Sequence, residues 1–355
     1  MSLTLVLNAG SSSLKYQVFE GETSILRGNI EKAQWDGDDH FFHADAFAEV
    51  VKQLHEAKVR IEDIEYVGYR VVHGGEKFSE SILINDESMN DIASMSQLAP
   101  LHIPPVIEVI KASWNTFVNA ERIAVFDTAF HSTLDEVAYT YPISHTISEK
   151  YGIRKYGFHG MSHQYVAEMA ALQLDKHLKN LNAITCHLGA GSSVTAIQSG
   201  RSVDTSMGFT PLAGLMMATR SGDIDPGIIL HLLRTGLDSD ELHDMLNAES
   251  GLKGIAGSED MREIREQSLT DSRAQLAREM YIRRVVHYIG AYLALVPDIE
   301  VIVFTGGIGE NDENLREQVI ERLQHLGVGT KIKVLVIPTN EELAIARECW
   351  KVAKK

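Results

Sequence analysis

Residues 5–19, LVLNAGSSSLKYQVF, decide the fold. Leu5, Val6 and Leu7 form an apolar run that reads as the end of a buried strand. Asn8 to Ser13 is a stretch of small, turn-forming residues, and Leu14, Tyr16 and Val18 then alternate with Lys15 and Gln17 as a returning strand. A strand, a tight Gly/Ser turn and a second strand make a hairpin whose turn exposes backbone N–H groups and three hydroxyls, a concavity suited to phosphate. Most Gly/Ser turns only reverse the chain, so the stretch gains meaning from a second copy. Ile184 to Ile197, ITCHLGAGSSVTAI, repeats the pattern, with Gly191-Ser192-Ser193 matching Gly10-Ser11-Ser12. A duplicated hairpin predicts two similar domains, each offering one turn to a shared ligand, and a polyphosphate spanning a cleft needs such a pair. Coincidence between two serine-rich hairpins is the alternative.

Composition narrows the class. A chain of 355 residues exceeds what one core usually supports, which predicts two domains. The net charge of −16 argues against nucleic acid or an anionic membrane as partner, so a phosphate site must be made positive locally by a few arginines and backbone amides. Cys186 and Cys349 give neither a disulfide framework nor a CxxC metal site. Met1 to Thr4 lead into a strand without a basic segment and apolar core, and the longest helical stretch, Ala274 to Val296, carries Arg278, Glu279, Arg283 and Arg284. A soluble, cytoplasmic protein is expected.

Along the chain, Arg27 to Asp45 reads as a loop and Ala46 to Ala57 as a helix. Ile64 to Val72 is a strand with Arg70 just before the turn at Gly74-Gly75. Asp86 to Ala99 is helical until Pro100, Pro104 and Pro105, and Val106 to Trp114 is a further helix. Arg122 to Phe126 is a strand whose end delivers Asp127, and the domain crossing is placed here. Ser162 is positioned to cap the next helix. Arg220 follows in a Gly-rich stretch with Asp223 and Asp225. Val301 to Phe304 runs into GGIGEN, Gly306 to Asn311, where a helix start turns N–H groups toward an anion or nucleotide. This segment is neither a Walker A loop nor a GxGxxG turn, and a simple turn before a helix explains it equally well.

Arg70 and Arg220, each beside a Gly-rich turn, offer guanidinium forks for carboxylate or phosphate; a surface ion pair is the structural alternative for either alone. His159 and His163 are spaced i, i+4, but Gly157 and Gly160 keep His159 off a shared helical face, against zinc. Thr339 and Glu342 fit a capping box, leaving Glu341 as the freer carboxylate for a divalent cation.

NAGSSSLK, RVVHGG, FDTAFH, RKYGFHG, HLGAGSS, DTSMGFTPL, TRSGDIDP, FTGGIGEN and PTNEELAIAR together resemble, in order and across nearly the whole chain, the motifs of the acetate kinase family, within the acetate and sugar kinase/Hsp70/actin superfamily. The resemblance implies an α/β protein with duplicated RNase H-like (actin-like ATPase) domains, mixed sheets flanked by helices, and an active site in the interdomain cleft. It implies an N-terminal acyl-substrate and phosphate domain, 1–127 plus 341–355, and a nucleotide-binding domain, 128–340. The implied reaction is reversible transfer of the ATP γ-phosphoryl group to acetate, giving acetyl phosphate and ADP, with Mg²⁺ (Mn²⁺ substituting), by a homodimer that engages neither nucleic acid nor membrane.

By the same match, Arg70 holds the acetate carboxylate, Asp127 is the catalytic carboxylate, and His159 and Arg220 stabilise the transferring phosphoryl. Asn8 and Glu341 serve the metal and Lys15 approaches the phosphates. The nucleotide meets His187, Leu188, Gly189, Ala190 and Gly191, then Asp260, Met261 and Arg262, then Gly307, Ile308, Gly309, Glu310 and Asn311. Val72, Leu101, Phe158 and Pro211 line the methyl pocket.

The chain departs from the family at Ala190, where Asn is usual, and at Met161, Ile103 and Ala213, and it is shorter between Gly28 and Ile61 and around Asn115. Ala190 keeps pyrophosphate open as donor, and a propionate kinase is the nearest alternative, since one methylene discriminates by only about 1–3 kcal/mol. A non-catalytic, nucleotide-switched actin- or Hsp70-like protein would need a peptide-binding or polymerising segment, and none is visible. A zinc hydrolase is the remaining rival.

Overall fold

The structure is a computed structural model that describes residues 3–10, 13–31, 43–99 and 102–354. It divides into two compact units, Met1–Phe130 with Asn340–Lys355, and His131–Thr339.

The first unit is built on strands β1 (Leu3–Ala9), β2 (Ser13–Glu20), β3 (Thr23–Glu31), β4 (Ile64–Val71), β5 (Ile82–Leu83) and β6 (Glu121–Phe126). They lie in the order β3-β2-β1-β4-β6-β5. β1, β2 and β3 form an antiparallel meander, β4 is parallel to β1, and β6 is parallel to β4. All seven residues of β1 are buried, as a central strand covered on both faces requires. Alternation along β4 assigns those faces. Gly68 turns toward the helix Glu341–Val352, where a Cβ would meet Cys349 Sγ and Ile345 Cγ2 at 2.7 Å. Tyr69, the next residue, points the other way and bonds Ser113 in the helix Ile103–Trp114 at 2.6 Å.

The second unit carries β7 (Ala183–Leu188), β8 (Ser192–Gln198), β9 (Arg201–Thr205), β10 (Val301–Thr305) and β11 (Lys333–Val336), in the order β11-β10-β7-β8-β9. β7, β8 and β9 are an antiparallel meander, β10 is parallel to β7, and β11 is parallel to β10. Read as β9-β8-β7-β10-β11, this is the same order and direction as β3-β2-β1-β4-β6. The hairpin repeat is therefore the visible part of a duplicated five-stranded RNase H-like core, with helices flanking mixed sheets. Tyr281, in the long helix Ser272–Leu295, is fully buried and bonds Ser192 of β8 at 2.8 Å.

Three local expectations are corrected. Arg27 to Glu31 is the end of β3 and 43–45 open the helix His43–Glu56, not loop; most of this edge strand is exposed, so it shows no apolar alternation, and 32–42 of the expected loop lies outside the described residues. Pro104 and Pro105 occupy the first turn of the helix Ile103–Trp114, where their missing N–H groups have no intrahelical acceptor. Asn340, not Thr339, caps the last helix, its side chain accepting from the Leu343 N–H at 3.0 Å. None of the described helices is long and apolar enough to cross a membrane.

Candidate active site

In the first unit the residues that match family motifs meet where β1, β4 and β6 end. Arg70, next to last in β4, aims its guanidinium at Asp127, directly after β6. Nε lies 3.0 Å from Oδ1 and Nη2 lies 2.7 Å from Oδ2. Nη1 reaches Asn8 Oδ1 at 3.4 Å and stands 3.6 Å from Glu341 Oε2. Burial works against the Arg70 charge, but the carboxylates of Asp127 and Glu341 outweigh it and hold the guanidinium above its ordinary value. Asp127 is itself buried, which pushes its carboxyl upward while Arg70 pulls it down. Thus Arg70, Asp127, Asn8 and Glu341 form one network of hard oxygens around a guanidinium. Lys15 pairs with Asn8 across the first hairpin and is exposed. Val72 follows β4, half-buried. Ser11, Ser12 and Leu101 lie outside the described residues.

In the second unit the hairpin turn borders a cavity of about 900 Å³. Of the residues matched to the nucleotide, Gly189, Ala190, Gly191, Asp260, Met261, Arg262, Gly307, Ile308 and Asn311 line it. Leu188 is buried in the core and Gly309 is buried behind the cavity wall. Glu310 does not face the cavity either: its Oε1 accepts from the Gly306 and Thr339 N–H groups at 2.9 and 3.1 Å. The carboxylate thus clips the β10 turn to the segment before the last helix. Gly306 has φ +79°, and a Cβ there would stand 2.7 Å from Leu188 O, so the close turn requires glycine.

The hydroxyls of this turn are not offered to a phosphate. Ser192 Oγ donates to Gly189 O at 3.1 Å, and Ser193 Oγ lies between two histidine rings. Both side chains are fully buried, and what the turn presents is its backbone.

His159 stands at the start of the helix Gly160–Gln173 without a side-chain capping bond, in a left-handed conformation, φ 57°, a strained setting for a residue with a Cβ. Ser162 lies inside that helix; its hydroxyl bonds His187 Nδ1 at 2.8 Å and Thr339 Oγ1 at 2.9 Å instead of capping. The His187 and His159 rings lie against each other with centroids 4.3 Å apart, tilted by 32°. His159 and Arg220 converge on Gly191: a Cβ built there would stand 3.2 Å from His159 Nε2 and 3.9 Å from Arg220 Nη1.

Arg220 is unlike Arg70. Its Nη1 donates to Pro211 O at 3.3 Å, and among the described residues no carboxylate pairs with it. Burial pushes its pKa down. A half-buried cation on a cavity wall with no counter-ion among the described residues can receive an anion. Phe158 is buried and Pro211 half-buried.

Ala218, Thr219, Glu259, Arg265 and Asp312 also line the cavity and were not foreseen. Thr219 and Glu259 stand next to matched residues, and Arg265 follows Arg262 by one helical turn, which is the signal that could have found them. Among the described residues no three metal-binding side chains of the His, Cys, Asp or Glu type gather.

The sequence model of the Acetokinase family matches residues 3–331. An acetate kinase of Bacillus subtilis (strain 168) is 43% identical over 395 aligned positions, covering 100% of both chains. The crystal structure of Porphyromonas gingivalis acetate kinase matches with a TM-score of 0.93 at 35% identity, covering 99% of this chain and 100% of that one. A propionate kinase from Francisella tularensis subsp. tularensis SCHU S4 matches with a TM-score of 0.92 at 38% identity and the same coverage.

Proposed function

The chain belongs to the acetokinase family, and on that premise we propose that it moves the terminal phosphoryl group of ATP to acetate, reversibly, giving acetyl phosphate and ADP. The observation that carries the reading is Arg220, a cation with no carboxylate partner among the described residues, which meets His159 over the backbone of Gly191.

The nucleophile is a carboxylate, ionised at neutral pH, so the reaction calls for positioning and charge stabilisation and no general base. Arg70, turned and held by Asp127, binds the acetate carboxylate. Asp127 thereby acts by orienting a guanidinium. His159 and Arg220 meet the equatorial oxygens of the phosphoryl group, whose charge they stabilise most when it is in transit. Lys15 approaches the phosphates, and Val72, Leu101, Phe158 and Pro211 receive the methyl group.

The first unit takes the acyl substrate, and the cavity of the second takes ATP, with His187 behind the Gly189–Gly191 backbone. The oxygen donors of Asn8 and Glu341 suit magnesium, which keeps several waters and needs only one or two protein ligands; when bound, it would offset phosphate charge. Manganese, with similar ligand preferences, would replace it. A homodimer is inferred as the working form, supported by the exposed Ile228, Leu230 and Leu233 on the helix Pro226–Thr235, and the cytoplasm as its location. Light scattering of the purified protein that gave the mass of one chain would remove the dimer.

Likeness to a propionate kinase at 38% identity favours one second reading, a longer acyl acceptor. A hydroxamate assay with acetate, propionate and butyrate, each with ATP and with pyrophosphate, decides among these. Acyl phosphate from acetate and ATP is expected. A clear preference for propionate moves the assignment, activity with pyrophosphate alone changes the donor, and no acyl phosphate under any condition ends the proposal.

A further inference from the structure

Behind His159 stands a chain of side chains that the transfer does not touch. His159 Nδ1 lies 2.9 Å from Ser193 Oγ, which lies 2.7 Å from His163 Nε2, and His163 Nδ1 lies 2.7 Å from Thr185 Oγ1. Ser193, His163 and Thr185 are fully buried, one each on β8, the helix Gly160–Gln173 and β7. Regular elements therefore hold the whole chain. The far side of the His159 ring, with Cε1 and Nε2, faces the Gly191 backbone.

We propose that Ser193, backed by His163 and Thr185, is a positioning residue that fixes the ring orientation of His159 by keeping a hydrogen bond on Nδ1 in either protonation state, so that the Nε2 edge stays over Gly191. The proposal rests on the phosphoryl-handling role given to His159 above.

Hydrogen accounting leaves two closed arrangements. In the first, Thr185 donates to His163 Nδ1, His163 Nε2–H donates to Ser193, and Ser193 donates to His159 Nδ1. Neutral His159 then carries its proton on Nε2. In the second, every bond reverses: His159 Nδ1–H donates to Ser193, Ser193 to His163 Nε2, and His163 Nδ1–H to Thr185. His159 then offers Nε2–H once it is an imidazolium. His163 holds a single proton in both, in keeping with burial and the adjacent His131 and His187 rings, which push it far below the ordinary histidine value. The serine hydroxyl is the one group that can serve both arrangements. It accepts from Nδ1–H or donates to a bare Nδ1, so the ring keeps one orientation whichever nitrogen carries the proton. The left-handed backbone of His159 points the same way, since strain is retained where a side chain must be aimed.

The test compares the wild-type chain, Ser193→Ala and Ser193→Thr, each with ¹⁵N-labelled histidine, with His159→Gln used to assign the His159 signals. For Ser193→Ala, the His159 Nδ1 shift should move away from its wild-type, hydrogen-bonded value. Its kcat should fall about 10- to 100-fold, the usual cost of losing a partner that orients a functional imidazole, with both KM values within about twofold. Ser193→Thr, which keeps the hydroxyl, should return both toward wild type. Unchanged nitrogen shifts in a folded Ser193→Ala chain overturn the proposal, whatever happens to kcat. A wild-type chain that makes no acyl phosphate would sink the functional reading, while the nitrogen shifts would still decide whether Ser193 holds Nδ1.

Discussion

Arg70 and Asp127 face each other from the ends of adjacent parallel strands, Nε and Nη2 lying 3.0 and 2.7 Å from the two carboxylate oxygens. Strand register brings them together, because β4 pairs with β6 up to Val71 and Phe126. A guanidinium held along one edge is left with Nη1 for a further oxygen, toward Asn8 and Glu341.

Asp127→Asn keeps the shape but loses the charge and turns an amide N–H₂ toward a guanidinium. Hydrogen bonds to charged groups are worth about 1.5–3 kcal/mol, so kcat/KM for acetate should drop about 10- to 100-fold. Steady-state rates with acetate varied at saturating ATP provide the check. Wild-type values would show that Arg70 needs no carboxylate to hold it.

Arg220→Ala should separate activity from stability. Its guanidinium makes no ion pair among the described residues, so its removal should leave Tm within about 2 °C of wild type. The same change removes the cation proposed to act on the phosphoryl group in transit, and kcat should fall about 100- to 1,000-fold with KM little altered. A rise in KM at constant kcat would make Arg220 a ground-state binder. A collapse of Tm would make it structural.

Gly191→Ala tests how near the His159 ring stands. The added methyl would meet His159 Cε1 and Nε2 at 3.2 Å, tighter than ordinary contact. The ring must give way by a few tenths of an ångström, so kcat should fall about tenfold while the melting temperature barely moves. Gly306→Ala is the contrast: at φ +79° with Leu188 O 2.7 Å away, it should cost about 1–3 kcal/mol of stability. Thermal melts of the two variants, set beside their rates, read the difference.

Acid should weaken both units. Burial lowers His73 of the first unit and His131 of the second to about 4, so neither takes a proton in the folded chain near pH 6. The unfolded chain does, below about 6.5. Stability is then present above pH 6.5 and lost as pH falls toward 4, by about 1.4 kcal/mol per pH unit for each such histidine. Melting temperature measured from pH 7.5 to 4.5 should decline most steeply below 6.5. A flat profile there would mean that the buried rings titrate normally.

The repeated hairpins could be read from sequence because a central strand is apolar throughout and its turn is a run of small residues. β3 and β9 could not, since edge strands are held by backbone bonds and show little apolar pattern. Residue types placed Arg70, Asp127, His159 and Arg220 near turns, but not the direction of a hydroxyl or carboxylate. Ser192 and Ser193 suggested ligand contact by type and Glu310 by the family resemblance, and the fold instead uses them on Gly189, the histidine rings and the Gly306 and Thr339 amides. Which side chains turn inward depends on buried partners far away in sequence, such as Tyr281 for Ser192. No local pattern carries that information.

The helix Glu341–Val352 also sets an order of events in biosynthesis. It covers Gly68 with Ile345 and Cys349, ties Trp350 Nε1 to Thr4 Oγ1 at 2.8 Å, and brings Glu341 beside Arg70. A ribosome must therefore deliver more than three hundred residues before the first-made sheet receives its cover, whereas the continuous stretch 131–339 has all its parts earlier. The portion synthesised second is the one able to fold first. The portion synthesised first waits with an apolar face exposed, and there a chaperone would find its target.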